Sequence, residues 1–97
     1  MSEPAFLQSA REEFLAAAEY YEAASPGLGA EFIEDVERAV TRLTTFPEHG
    51  SPYVADTRRI VLRRFPFDIV YIELESGLLI VAVAHQRKEP YYWQKRV

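Results

Sequence analysis

The chain reads as an α+β domain of βααβββ order, with a helical hairpin packed on one face of a mainly antiparallel, four-stranded sheet. Three observations predict this. Apolar residues recur twice at helical spacing in the first half. Three segments of the second half are rich in β-branched and aromatic residues. The stretch between the halves holds prolines and a glycine, which break regular structure. The 97 residues suit one compact domain, 1–97, and a hydrophobic content of 48% argues against disorder.

The elements follow in order. Ala5-Phe6-Leu7 is a short apolar strand. Ser9-Ala10-Arg11-Glu12 has the form of a capping box, in which the serine hydroxyl accepts a free backbone N–H and Glu12 reaches back. Phe14, Ala17, Ala18 and Tyr21 then mark a helix over residues 10–24, with Tyr20-Tyr21 assigned to the core. Ser25-Pro26-Gly27 breaks it. A second helix carries Phe32, Val36, Val40, Leu43 and Phe46 on one stripe, with Glu31, Glu34, Asp35, Glu37 and Arg38 mostly on the other face. Pro47 ends it, because proline lacks the N–H that a helix interior needs.

Residues 47–57 read as a loop. In the strand over 57–64, Ile60 and Leu62 point one way, and Arg59, Val61 and Arg63 the other. Residues 67–74 form the next strand, and Ser76-Gly77 signals a tight hairpin. Residues 78–84 are apolar throughout, as expected of a strand buried on both faces. Simple alternation puts Leu79, Val81, Val83 and His85 on one face. Pro90 prevents further pairing, and Tyr91-Tyr92-Trp93 either folds onto the sheet or offers rings for stacking.

Charge is divided unevenly. Residues 1–50 carry 3 basic and 10 acidic side chains, residues 51–97 carry 8 and 5, and the whole chain stands at −4. That balance allows a basic patch but not the attractive field of a strongly basic nucleic-acid-binding domain. With no cysteine, disulfides and thiolate chemistry are excluded. His49 and His85 are too few and too far apart to suggest a structural zinc site, and no cofactor motif is present. Met1-Ser2-Glu3-Pro4 is not the basic start of a signal peptide, and no apolar run is long enough to span a bilayer, so the expected setting is the cytoplasm.

Basic and aromatic groups collect in the second half. Arg58, Arg59, Arg63, Arg64, Arg87, Lys88, Tyr91 and Trp93 form the candidate surface for a target or partner. Solvated edge-strand charge is the plainer account of any single arginine. Metal-free RNA cleavage would need a base, a proton donor and cations for the phosphorane charge. Arg59, Arg63, His85, Arg87 and Tyr92 supply those residue types. His85, alone at a strand end, also fits a hydrogen-bonded structural role.

Several of these elements together resemble the RelE/ParE toxin superfamily of type II toxin–antitoxin modules, and its ParE-like branch in particular. The resemblance rests on Ala10 with the helix to Tyr20-Tyr21, Leu28-Gly29 before Phe32, and Pro47. It continues through Arg58-Arg59, Phe65-Pro66-Phe67 with Ile69 and Tyr71, and Ala82-Val83-Ala84-His85 with Arg87, Pro90 and Trp93. It implies a βααβββ fold and a bacterial growth inhibitor held in a hetero-oligomer by a cognate antitoxin. It leaves two targets open, because the superfamily includes DNA gyrase poisons, the leading reading here, and ribosome-dependent mRNA endonucleases, the alternative. A weakly toxic partner serving antitoxin binding or autoregulation is a third. Residues 47–57 lack the lysines and arginines usual in RelE-type nucleases, which favours gyrase over the ribosome.

Overall fold

A computed structural model describes residues 4–97 of the chain. The expectation that no signal peptide is present rests on residues 1–3, which lie outside the described residues. Strand β1 (Ala5–Phe6) leads into helix α1 (Gln8–Ala24), and helix α2 (Leu28–Thr45) returns antiparallel to it. Strands β2 (Ser51–Pro52), β3 (Arg58–Val61), β4 (Phe67–Leu74) and β5 (Gly77–His85) complete a sheet of order β1-β5-β4-β3-β2. Among the described residues only β1 pairs parallel to its neighbour; the other pairings are antiparallel. The α+β class and the hairpin agree with the sequence reading. The sheet has five strands rather than four, because Ser51 and Pro52 of the expected loop pair with Arg59 and Arg58. Pro52 is tolerated there since an edge strand need not donate on both sides. Among the described residues no helix is long and apolar enough to cross a membrane.

The core lies between the hairpin and the sheet. Alanines 10, 17 and 18 are the buried residues of α1, and their small side chains let the helix approach closely. From α2 come Phe32, Val36, Val40 and Leu43, as their spacing predicts. Phe65 and Phe67, flanking Pro66, bring their rings within 5.2 and 5.1 Å of Phe32, and Tyr21 lies 4.9 Å from Phe65. This aromatic cluster joins both helices to the start of β4.

Three local expectations fail for identifiable reasons. The Ser9 capping box does not form. Leu7 N–H is already held by Ile80 O (3.0 Å), so the chain turns directly from β1 into α1 and Ser9 falls inside the helix. Phe46 leaves the apolar stripe and is 62% exposed, since α2 ends at Thr45 and proline disfavours helical backbone at the residue before it. Tyr20 is 71% exposed, and only Tyr21 packs inward.

The start of α2 is capped by an unexpected residue. Glu22 of α1 accepts hydrogen bonds from the Gly27 N–H (3.1 and 3.0 Å) and the Gly29 N–H (3.0 Å). A carboxylate at this end satisfies free donors and complements the helix dipole. Gly29 is needed because a Cβ there would lie 2.6 Å from Ala18 O, a backbone atom that cannot step aside. Gly29→Ala is therefore expected to destabilise the fold by about 1–3 kcal/mol, measured by urea unfolding.

Strand β5 contains the irregularity that shapes the end of the sheet from which the tail leaves. Its register against β4 passes from Val70–Ala82 to Tyr71–Ile80, so Val81 is an extra, bulged residue. The expected single face of Leu79, Val81, Val83 and His85 is broken there. Ile80 and Val83 belong to the helix-side core, whereas Val81 joins Val70, Ala82 and Ala84 on the helix-free face. His85 falls opposite Phe67, its ring edge-on at 5.0 Å.

Candidate functional site

The helix-free face of the sheet is covered by the chain after β5. Gln86 N–H bonds to Pro66 O (2.8 Å), Lys88 N–H bonds to His85 O (3.0 Å), and the chain then folds back to lay Trp93 over the apolar patch. Trp93 is 2% exposed, so the packing role of the aromatic tail applies to it. Tyr53 stacks beside it at 5.7 Å and lies 5.5 Å from Tyr91, which is 44% exposed. Ala55 and Asp56, just after Tyr53, both have left-handed backbone (φ 56° and 58°), and Tyr91 does too (φ 61°). Non-glycine residues in that region carry a small strain, so packing must hold them there.

One carboxylate fixes the tail. Glu13 of α1 accepts hydrogen bonds from Val83 N–H (3.1 Å) and Tyr92 O–H (2.5 Å), and pairs with Arg96 through two bonds of 3.0 Å. Arg96 also donates to Val81 O (3.1 Å). Strand β1 pairs with β5 only at Leu79 and Ile80, so the β5 edge beyond the bulge has no strand neighbour. Glu13 and Arg96 occupy that edge instead. Burial first, then the hydrogen bond and charge of Glu13, pushes the Tyr92 phenol above its ordinary range. The hydrogen bond that Arg96 donates to Glu13 likewise raises Arg96. Lys88 and Arg96 approach the Tyr92 ring at 4.4 and 5.2 Å, a cation–π arrangement.

Between β3, β4 and the tail lies an open cleft of about 270 Å³, lined in part by Tyr53, Arg59, Asp68, His85, Tyr92 and Trp93. Arg59 lies over the Tyr53 ring at 4.5 Å and pairs with Asp68 at 3.4 Å, while Asp68 also accepts from Gln86 at 3.2 Å. Three of the five candidate nuclease residues, Arg59, His85 and Tyr92, thus line one cleft. The other two do not. Arg63 lies in a separate groove beside α2, and Arg87 is exposed on the tail turn. Each of the three has a polar group already engaged: Tyr92 O–H with Glu13, His85 Nδ1 with Arg87 N–H (3.0 Å), and Arg59 with Asp68.

The remaining basic candidates divide by role. Arg58 donates to Gly50 O (2.7 Å) and Glu48 O (3.3 Å), tying the loop after α2 to the sheet. Arg64 pairs with Glu31 of α2 at 2.6 Å. Arg63 and Arg87 have exposed side chains. Glu13, Tyr53 and Asp68 were missed by sequence reasoning, because each acts through contacts distant along the chain and none carries a local motif.

Glu13→Ala should undock the tail, since it leaves Arg96 and Tyr92 without their shared acceptor. The expected loss is roughly 1.5–3 kcal/mol, the scale for hydrogen bonds to charged groups, with a red shift of Trp93 emission before global unfolding. Tyr92 adds a pH signature. Its raised folded value means that its stabilisation is whole below pH 10.0, the ordinary phenol value, and is lost as pH rises further. Urea unfolding of wild type and Tyr92→Phe should show a stability gap that narrows above that pH; a constant gap would contradict the buried phenol.

The comparisons with known proteins agree with this architecture. The family model for the ParE toxin of the parDE type II toxin–antitoxin system matches residues 5–90. A solved structure described as the chromosomal ParDE TA system from P. aeruginosa is similar in fold, with a TM-score of 0.75 and 19% identity over 88% of this chain and 96% of that one. Curated protein sequences give no match. The family match takes in both helices and all five strands, and the chain therefore belongs to the ParE toxin family of type II toxin–antitoxin systems.

Proposed function

We propose that this toxin arrests bacterial growth by binding DNA gyrase in the cytoplasm, without chemistry of its own, and that a cognate antitoxin neutralises it. The observation that carries the non-catalytic reading is the engagement of the would-be nuclease groups. A base for the 2′-hydroxyl and a donor for the leaving oxygen must be within reach of substrate. Here Tyr92 O–H is spent on Glu13, the His85 Nδ1 lone pair on Arg87 N–H, and the Arg59 charge on Asp68. The acidic Asp68 and Glu89 also line the cleft, weakening its pull on phosphates. Membership of the ParE family supports gyrase as the target.

On this reading the tail turn offers the target contacts. Arg87, Lys88 and Tyr91 are all exposed there, and the Arg87 side chain makes no hydrogen bond or ion pair within the described chain. Antitoxin binding is assigned to apolar and basic surface, which a flexible acidic segment can wrap as it folds.

Purified toxin is expected to inhibit gyrase supercoiling or to trap gyrase–DNA cleavage complexes. Arg87→Glu should weaken that effect by about tenfold, a loss of a single strong charged contact, with unchanged circular dichroism and melting temperature. Normal gyrase activity at saturating toxin would sink the proposal. Codon-positioned cuts in translated messages, lost on His85→Ala, would instead establish the nuclease.

A further inference from the structure

The chain beyond β5 is built as a separable cover. Residues 86–91 are all exposed and lead from the sheet to the tail without pairing to a strand. The N–H groups of Tyr92, Gln94, Arg96 and Val97 bond to carbonyls of the tail itself, at 2.8–3.4 Å. These backbone bonds persist whether or not the tail lies on the sheet, so it can leave as a unit without orphaning them.

Side chains hold it down. The Glu13 carboxylate takes Tyr92 and Arg96 and has Lys88 at 3.9 Å, Arg96 donates to Val81 O, and Trp93 covers Val70, Val81, Ala82 and Ala84. None of these contacts depends on which chain supplies the tail. The fold-back does: it needs the turn closed by Lys88 N–H on His85 O, and it sets Tyr91 at φ 61°, where a tyrosine is strained. An opened connector is released from both demands, and residues 87–91 drawn out span roughly 17 Å.

We propose that this seat also takes the tail of a second copy of the chain. Two molecules then exchange residues 89–97, and each supplies the Tyr92 and Trp93 that line the other's cleft. The chemistry commits the seat to this occupant: a phenol and a guanidinium for Glu13, with an indole between them in sequence for the apolar patch. Exchange of an identical element needs no new surface. Closure within one chain benefits from a local concentration on the order of millimolar across a short connector, so the single molecule is the dilute form. The proposal is independent of the toxin's target.

Trp93 is the one tryptophan, so mixing two full-length variants reports exchange directly. The Glu13→Ala chain carries Trp93 but lacks its acceptor. The Tyr92→Phe/Trp93→Ala chain keeps Glu13 but has no indole to dock. Adding the second to the first should shift Trp93 emission back to the blue, saturably; an acceptor chain that also carries Glu13→Ala should leave it unmoved. Should the acceptor variant fail to fold, deletion of Lys88 and Glu89 decides the matter. The shortened connector disfavours closure, so light scattering should give twice the monomer mass at concentrations about tenfold or more below those wild type requires, with Trp93 still blue. Unmoved emission with a folded acceptor, a shortened chain that stays monomeric with Trp93 exposed, or a dimer that survives Glu13→Ala would each overturn the proposal.

Discussion

The carboxylate of Glu13 is the constraint on which the tail end of this fold depends. A sheet that ends in a bulge leaves backbone groups that its short neighbouring strand cannot reach. Glu13 takes the Val83 N–H and Arg96 takes the Val81 carbonyl, so a helix side chain and a tail side chain stand where a strand would be. The same carboxylate binds Arg96 and Tyr92, and these hold the segment that places Trp93 on the sheet. An unsatisfied buried backbone group costs as much as a lost hydrogen bond or more. Edge satisfaction and tail docking are therefore one event.

The arginines show how a shared sequence feature divides into separate physical tasks. Arg58 ties a loop, Arg64 ties a helix, Arg59 is balanced by Asp68, and Arg96 is balanced by Glu13. Arg42, Arg63 and Arg87 keep their charge for solvent or partners. Composition alone suggests one basic patch, whereas the folded chain presents a tail turn and a helix–strand groove on different surfaces. This dispersal explains how a chain of net charge −4 can carry two local basic features without a global attraction for phosphate.

Both helices and the three longer strands were legible in the sequence, because periodicity records which side of an element is buried. Phe32, Val36, Val40 and Leu43 announce α2 in this way, and the apolar run of β5 announces a central strand. What could not be read were events decided by distant partners. β2 has two residues and no apolar pattern, and it exists only because β3 lies beside it. Ser9 matched a capping motif, but Ile80 had already claimed the turn before it. Of the candidate site, the residue types were legible and their grouping was not. Arg59, His85 and Tyr92 share a cleft, Arg63 does not, and Glu13 drew no attention because one glutamate on an acidic helix looks like any other.

The extra residue at Val81 has a consequence for how such a chain can vary. In an unbroken strand every position is in phase with every other, so one insertion would invert the entire element. The bulge divides β5 into two segments whose inside-to-outside order is set separately. The segment before it is phased by the hairpin turn and by β1, and the segment after it by Phe67 and the α1 carboxylate. Lineages could therefore remodel the His85 end and its tail, while the hairpin end keeps its own phase and its place in the core.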